Sequence, residues 1–291
     1  MKLRQAPGSI VSRVRLRNSA ARTAGKPRRC VPKRRGQRGS WRAFRRQPRP
    51  IQYLIGFIGV LTLSLAVNWL YQVIRKPSEL LFPVGGTLVK SVPETWRSYS
   101  PLFREYSTRV ITPELLAALA QAEGAGNPVA RTYWRWSWAR RPFEVYRPAS
   151  SSVGLYQMTD GTFSQAKNNC IRDHVVVQDG PWNDRHSCWF NRFYFRVIPS
   201  HAIELTAAYL DVHVAQTLAG HRIGNASRLQ IQHLAAVIHL CGAGAGDQYV
   251  RRGFKFLKSQ RCGDQNPRAY LSRVDELAGE FGRLGAADVR G

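Results

Sequence analysis

Acidic residues are missing from the first fifty positions: Met1 to Pro50 holds seventeen Lys and Arg and no Asp or Glu. The net charge of +26 is therefore mostly local, since the rest of the chain carries 27 Lys and Arg against 18 Asp and Glu, an excess of +9. Large apolar residues are also scarce in this arm, which excludes a packed core there. The stretch 1–50 reads as a disordered basic arm whose charge sets topology. Binding to anionic lipid ranks second. Nucleic acid ranks third, because Trp41 and Phe44 are the arm's only stacking aromatics, and no nucleic-acid partner is expected.

Charge is missing altogether from IQYLIGFIGVLTLSLAVNWLYQVI, the 24 residues from Ile51 to Ile74. That length spans a hydrocarbon core of ~30 Å at ~1.5 Å per residue. No polar face interrupts it, which argues against a buried helix of a soluble domain. No small-x-small site follows Ile74, which argues against a cleaved signal peptide. Tyr53, Trp69 and Tyr71 lie near the ends, and Arg45, Arg46 and Arg49 precede the segment. The positive-inside rule then expects a cytoplasmic N-terminus, one pass through the membrane, and the remainder on the far side.

Cys-x-x-Cys spacing does not occur, so zinc is disfavoured, and neither a metal nor a cofactor is expected. Cys30 falls on the cytoplasmic side, while Cys170, Cys188, Cys241 and Cys262 lie beyond the membrane. Four cysteines allow three pairings, and the sequence-local ones, Cys170 with Cys188 and Cys241 with Cys262, would each staple one loop-rich stretch. An even count there suits an oxidising compartment.

Residues 75–110, with prolines at 77, 83, 93 and 101, read as a spacer carrying at most one short helix. A compact, mainly α domain is expected over 111–285. Thr112-Pro113-Glu114 supplies a helix cap, a first-turn proline and a first-turn acid, and Leu115, Leu116, Leu119 and Ala122 form the apolar stripe. The segment RTYWRWSWARRPFEVYRPASSS, from Arg131 to Ser152, reads as loop, although alternation of Trp134, Trp136 and Trp138 also fits a half-buried strand or a sugar platform. Further helices are expected from Thr159 or Asp160 to about Lys167, from a Ser200 cap through Leu218, over Leu229 to Cys241, and from Asn266-Pro267 through Phe281. Cys170 to Pro199 reads as irregular, with strand-like residues at Val175 to Val177. His213, His233 and His239 read as core or boundary residues.

One acid stands out. Glu123 follows Leu115 and Leu119 at helical spacing, so it continues the apolar stripe into the last turn before Gly-Ala-Gly-Asn-Pro. Desolvation and the partial negative charge of a helix end both favour a carboxyl that keeps its proton, which is what a general acid needs. A surface glutamate paired with Arg131 or Arg135 is the competing reading.

Downstream, Ser150-Ser151-Ser152-Val153-Gly154-Leu155-Tyr156-Gln157-Met158 precedes TDGTF. Together with AEGAGNPVA, this resembles the soluble-lytic-transglycosylase domain family, which is helical and lysozyme-like. That family carries Glu-Ser at a helix end, an Asn-Pro turn and Gly-Leu-Met-Gln. A third family motif, Ala-Tyr-Asn-Ala-Gly-Pro-Gly, resembles Ile238 to Gly246, and a fourth, Tyr-x-x-x-Val, resembles Tyr270 to Val274. The likeness covers about Thr112 to Gly282. Gly124 replaces the family's Ser, Tyr156 its Met, and Cys241-Gly242 its Tyr-Asn, while the aromatic stretch from Tyr133 to Tyr146 is an insertion.

The resemblance implies a membrane-anchored lytic transglycosylase that cleaves the MurNAc-GlcNAc β-1,4 bond of peptidoglycan glycan strands, with Glu123 as general acid and then base. It also implies substrate contacts at Gly154, Tyr156, Gln157 and Tyr270, of which Gly154 is read more as a tight backbone approach and Gln157 competes with a structural-amide role. Asp160 and Asp173 are the nearest candidates for a second carboxylate, and Asp160 reads more simply as a helix cap. The alternatives are a catalytically silent peptidoglycan-binding or assembly protein of the same fold, and a membrane-bound nucleic-acid-binding protein. A cell-wall, secretion or conjugation apparatus is an expected setting.

Overall fold

The computed structural model describes residues 47–81, 85–137, 145–184 and 186–288. Most of the basic arm, Pro83 and Trp138 lie outside the described residues.

The chain is mainly helical. Helix α1, Arg49–Arg75, is long and apolar enough to cross a membrane. Its side chains are exposed almost without exception from Ile51 to Val67. From there one face is covered, with Asn68, Gln72, Val73 and Lys76 buried.

Helix α2, Val92–Glu105, is longer than the short spacer helix expected and belongs to the core. Ser91 and Glu94 form its start, the Ser91 N–H donating to Glu94 Oε2 across 2.8 Å. Pro93 sits in the first turn, where no intrahelical N–H is needed. Trp96, Tyr99 and Phe103 then fall on one face and are buried, so the compact domain begins before Thr112.

Helix α3, Pro113–Gly124, starts as its sequence predicts, with Thr112 Oγ1 accepting from the Leu115 N–H. It stops because Ala125 and Gly126 adopt left-handed φ values of 47° and 65°. The stretch expected as loop is instead an antiparallel hairpin, β1 (Trp134–Trp136) with β2 (Tyr146–Pro148), in which Trp136 pairs with Tyr146. Helix α4, Asp160–Ala166, is capped by Thr159. Asp160 itself pairs with Arg196 at 2.6 Å.

The segment expected to be irregular forms a second hairpin, β3 (Asn169–Arg172) with β4 (Val175–Gln178), and a 3-10 turn at Trp189–Phe193. A disulfide joins Cys170 to Cys188. Helix α5, Pro199–Gly220, takes Ile198 rather than Ser200 as its cap residue, because Pro199 already occupies the first helical position. Helix α6, Arg228–Cys241, opens with a Ser227/Gln230 capping box. Gly242, at φ 83°, separates it from α7, Ala243–Arg251, which the glycine-rich sequence did not announce. Cys241 pairs with Cys262, and α8, Pro267–Asp288, closes the domain.

The core is one cluster in which Leu116, Leu119, Ile203, Leu205, Leu210, Leu234 and Phe281 are fully buried. Helix α8 packs on α3, with further contacts to α2 and α6, and this brings the first turn of α8 to the last turn of α3.

Candidate functional site

The α3 stop is a rigid corner. The Asn127 Nδ2 donates to the Gly85 carbonyl at 2.6 Å, while its Oδ1 accepts from the Val129 N–H at 2.9 Å. This Asx turn directs the chain away from the helix end and leaves Glu123 on the rim of a cavity of about 650 Å³. Gln121, Asn127, Arg131, Gln157 and Arg273 also line it. Its lining mixes charged, amide and apolar side chains.

Two buried groups flank the carboxylate. The Tyr270 hydroxyl donates to Glu123 Oε1 across 2.6 Å. Burial, and then the neighbouring Glu123, push the Tyr270 hydroxyl well above its ordinary range, so it remains a donor at neutral pH. His239 Nε2 lies 3.8 Å from the same Oε1, with the histidine side chain 11% exposed. Burial lowers the proton affinity of His239, opposed by Glu123 and by the backbone of Tyr156. The ring is therefore neutral at pH 7, and the contact is not an ion pair. Tyr270 and His239 thus both sit at Oε1 of the carboxylate.

Gln157 is bound to the corner by its amide nitrogen, which donates to the carbonyls of Ala130 and Gly154, each at 3.0 Å. Its left-handed backbone, φ 47°, is held by these bonds. The structural-amide role is thus present, and Gln157 also lines the Glu123 cavity.

One expected substrate contact, Tyr156, is corrected, and Gly154 takes the tight-backbone reading. Tyr156 is 1% exposed and spends its hydroxyl on the Leu116 carbonyl at 3.1 Å, so it is a core residue. Gly154 has φ 84°, and a β-carbon there would lie 2.3 Å from the Arg196 carbonyl oxygen. It shapes the loop by close backbone approach and does not line the cavity. Gly124 has a related constraint: a β-carbon there would meet the Leu155 carbonyl oxygen at 2.7 Å. The space for the family's Ser side chain is filled by the Gly154-Leu155 turn.

Cys241, where the family has Tyr, is committed to its disulfide. Gly242 lines a smaller cavity of about 250 Å³ together with Gln157, Thr206, Tyr209 and His239. Trp134 and Trp136 do not reach the Glu123 cavity. They line a separate pocket with Tyr133, Tyr146 and residues of α1. Among the described residues, no group of three or more His, Cys, Asp or Glu could hold a metal ion.

Of the residues that the sequence singled out, Glu123 and Gln157 line one cavity and Tyr270 meets Glu123, whereas His239 was left among the core residues and Arg273 was not singled out. The available signals were position: His239 lies in the last turn of its apolar helix, inside the stretch Ile238 to Gly246, and Arg273 lies three residues after Tyr270, on the same helical face. Comparison with known protein families and with curated proteins finds no match.

Proposed function

We propose that this chain is a membrane-anchored peptidoglycan lytic transglycosylase with a lysozyme-like domain, held to a bacterial inner membrane by α1 with its cleft on the periplasmic side. The observation that carries the reading is Glu123 Oε1 held by the Tyr270 hydroxyl on the rim of a cavity that contains no second carboxylate among the described residues. A two-carboxylate glycosidase needs a partner acid in reach. Asp160 is committed to Arg196, outside the cavity lining.

One carboxyl suffices when the substrate supplies the rest. Glu123 gives its proton to the glycosidic oxygen, the bond from C1 of the muramoyl sugar to that oxygen breaks, and the 2-acetamido group supports the developing positive charge. The resulting carboxylate takes the proton of the muramoyl 6-hydroxyl as O6 bonds to C1. The 1,6-anhydro product leaves, and Glu123 ends protonated as it began. Gln157 and Arg273, which line the cavity, hold the sugar, and neutral His239 keeps competing charge away from Oε1.

A second reading, a glycan-binding protein without catalysis, is favoured by one observation. The position of the family's Tyr is a disulfide-bonded cysteine, and the next is a bare glycine. Incubating the full chain and its Glu123→Gln variant with insoluble peptidoglycan separates the two. Soluble muropeptides from the wild type alone support catalysis, and equal pelleting of both proteins without release supports binding.

A further inference from the structure

The aromatic insertion has a use that the Glu123 site leaves unexplained. Strands β1 and β2 turn Trp134, Trp136 and Tyr146 to one side, where the Tyr146 ring lies 5.1 Å from that of Trp134 and 4.8 Å from that of Trp136. With Tyr133, they face Leu65, Asn68 and Trp69 of α1 across a pocket of about 660 Å³. Tyr133 and Trp136 are 69% and 64% exposed, far more than a hairpin folded to bury its own aromatics would leave them.

The hairpin is fastened to α1. Asn68 Nδ2 donates to the Tyr146 carbonyl at 2.7 Å, and Lys76 Nζ donates to the carbonyls of Ser150 and Ser152 at 3.3 and 3.0 Å. Buried Glu79, just past the helix, accepts from Arg131 at 3.1 Å and from Trp134 Nε1 at 2.9 Å. The hairpin is therefore held at a set height on the helix.

That height is informative. From Ile51, the first residue of the charge-free run, to Val67, α1 rises about 25 Å at ~1.5 Å per residue, somewhat short of the ~30 Å of a hydrocarbon core. Asn68 follows at once, and from it one face of the helix is covered by the domain. The hairpin thus begins where hydrocarbon would end. Hairpin edges leave backbone groups unpaired and cannot enter the core, whereas Trp and Tyr rings favour the headgroup boundary. On the opposite face, exposed Arg135 carries positive charge that suits lipid phosphates. Asn68 Oδ1 is buried and has no hydrogen-bond partner among the described residues.

We infer that the Trp134/Trp136/Tyr146 hairpin is a second membrane contact: its aromatic rings sit in the headgroup layer of the bilayer that α1 crosses and hold the Glu123 cleft at a fixed height above it. This rests on the membrane reading of α1. A sugar-stacking platform is the competing use of the same rings.

The test uses the full chain with Cys30→Ser, reconstituted in nanodiscs of phosphatidylethanolamine and phosphatidylglycerol. A nitroxide is attached in turn at Trp136→Cys, Tyr133→Cys, Leu63→Cys and Trp182→Cys, and its collision rates with oxygen and with a water-soluble nickel chelate are measured. Position 63 reports the anchor, and position 182, 73% exposed, reports water. The expected oxygen-to-nickel ratio at 136 and 133 lies between those at 63 and 182. If 63 reads as lipid while 136 and 133 match 182, the hairpin contact is wrong and the anchor stands. If 63 also matches 182, the anchor reading fails and takes this inference with it. Immobilisation of the 136 label by N-acetylglucosamine oligomers, with a water-like ratio, would assign the rings to sugar instead.

Discussion

The Tyr270 hydroxyl donates to Glu123 Oε1 across 2.6 Å, tying the first turn of α8 to the last turn of α3. A hydrogen bond to a charged or charge-developing group contributes about 1.5–3 kcal/mol. At about 1.4 kcal/mol per tenfold, Tyr270→Phe should lower muropeptide release roughly ten- to hundredfold. The domain should still fold, because the ring remains to pack, and near-ultraviolet circular dichroism with initial rates on peptidoglycan checks both parts.

His239 makes stability depend on pH. Burial holds its proton affinity below the ordinary value, so the folded protein binds fewer protons at this ring than the unfolded chain does. The stability contributed by the neutral ring is complete above about pH 6.5 and declines as pH falls through the window between that value and the lowered folded one. His239→Gln removes this slope. Denaturant midpoints at pH 8 and pH 5 should show the gap between wild type and variant narrowing at the lower pH.

Gly124 tests whether the departure from Ser is structural. Gly124→Ser places a β-carbon against the Leu155 carbonyl, which belongs to a backbone turn with little room to move. Overpacking of this kind costs about 1–3 kcal/mol. Urea melts should show a lower midpoint with an unchanged slope, and Gly124→Ala should lose nearly as much.

The Cys241–Cys262 disulfide closes a segment of 21 residues between α6 and α8. Chain-entropy arguments assign such a loop about 3 kcal/mol. Replacing both cysteines with Ser should lower the thermal midpoint while leaving the Glu123–Tyr270 contact in place. Melting scans with activity at low temperature separate the two effects.

Much of this site is written in short-range patterns. The stripe of Leu115, Leu119 and Glu123 and the Gly-Asn-Pro stop place the acid, and Asn266-Pro267 places Tyr270 one turn into its helix. Other parts are hidden by the same local rules. Pro93 and Pro101 disguise α2, although one lies in the first turn, where it does no harm. Glycines disguise α7. Alternating tryptophans cannot declare a strand until the partner strand is known, and β2 lies beyond the joining residues. The approach of His239 to Glu123 is set by how distant helices pack, and no local spacing encodes it. Tyr156 misled because motif position says nothing about which way a side chain points.

The central claim is that Glu123 acts alone as acid and then base, with the sugar's own 6-hydroxyl as nucleophile. Mass spectrometry of the soluble products from purified peptidoglycan tests it most directly. The account predicts 1,6-anhydromuramoyl ends from the wild type and none from Glu123→Gln; products ending in reducing muramic acid, or anhydro products undiminished in the variant, would contradict it.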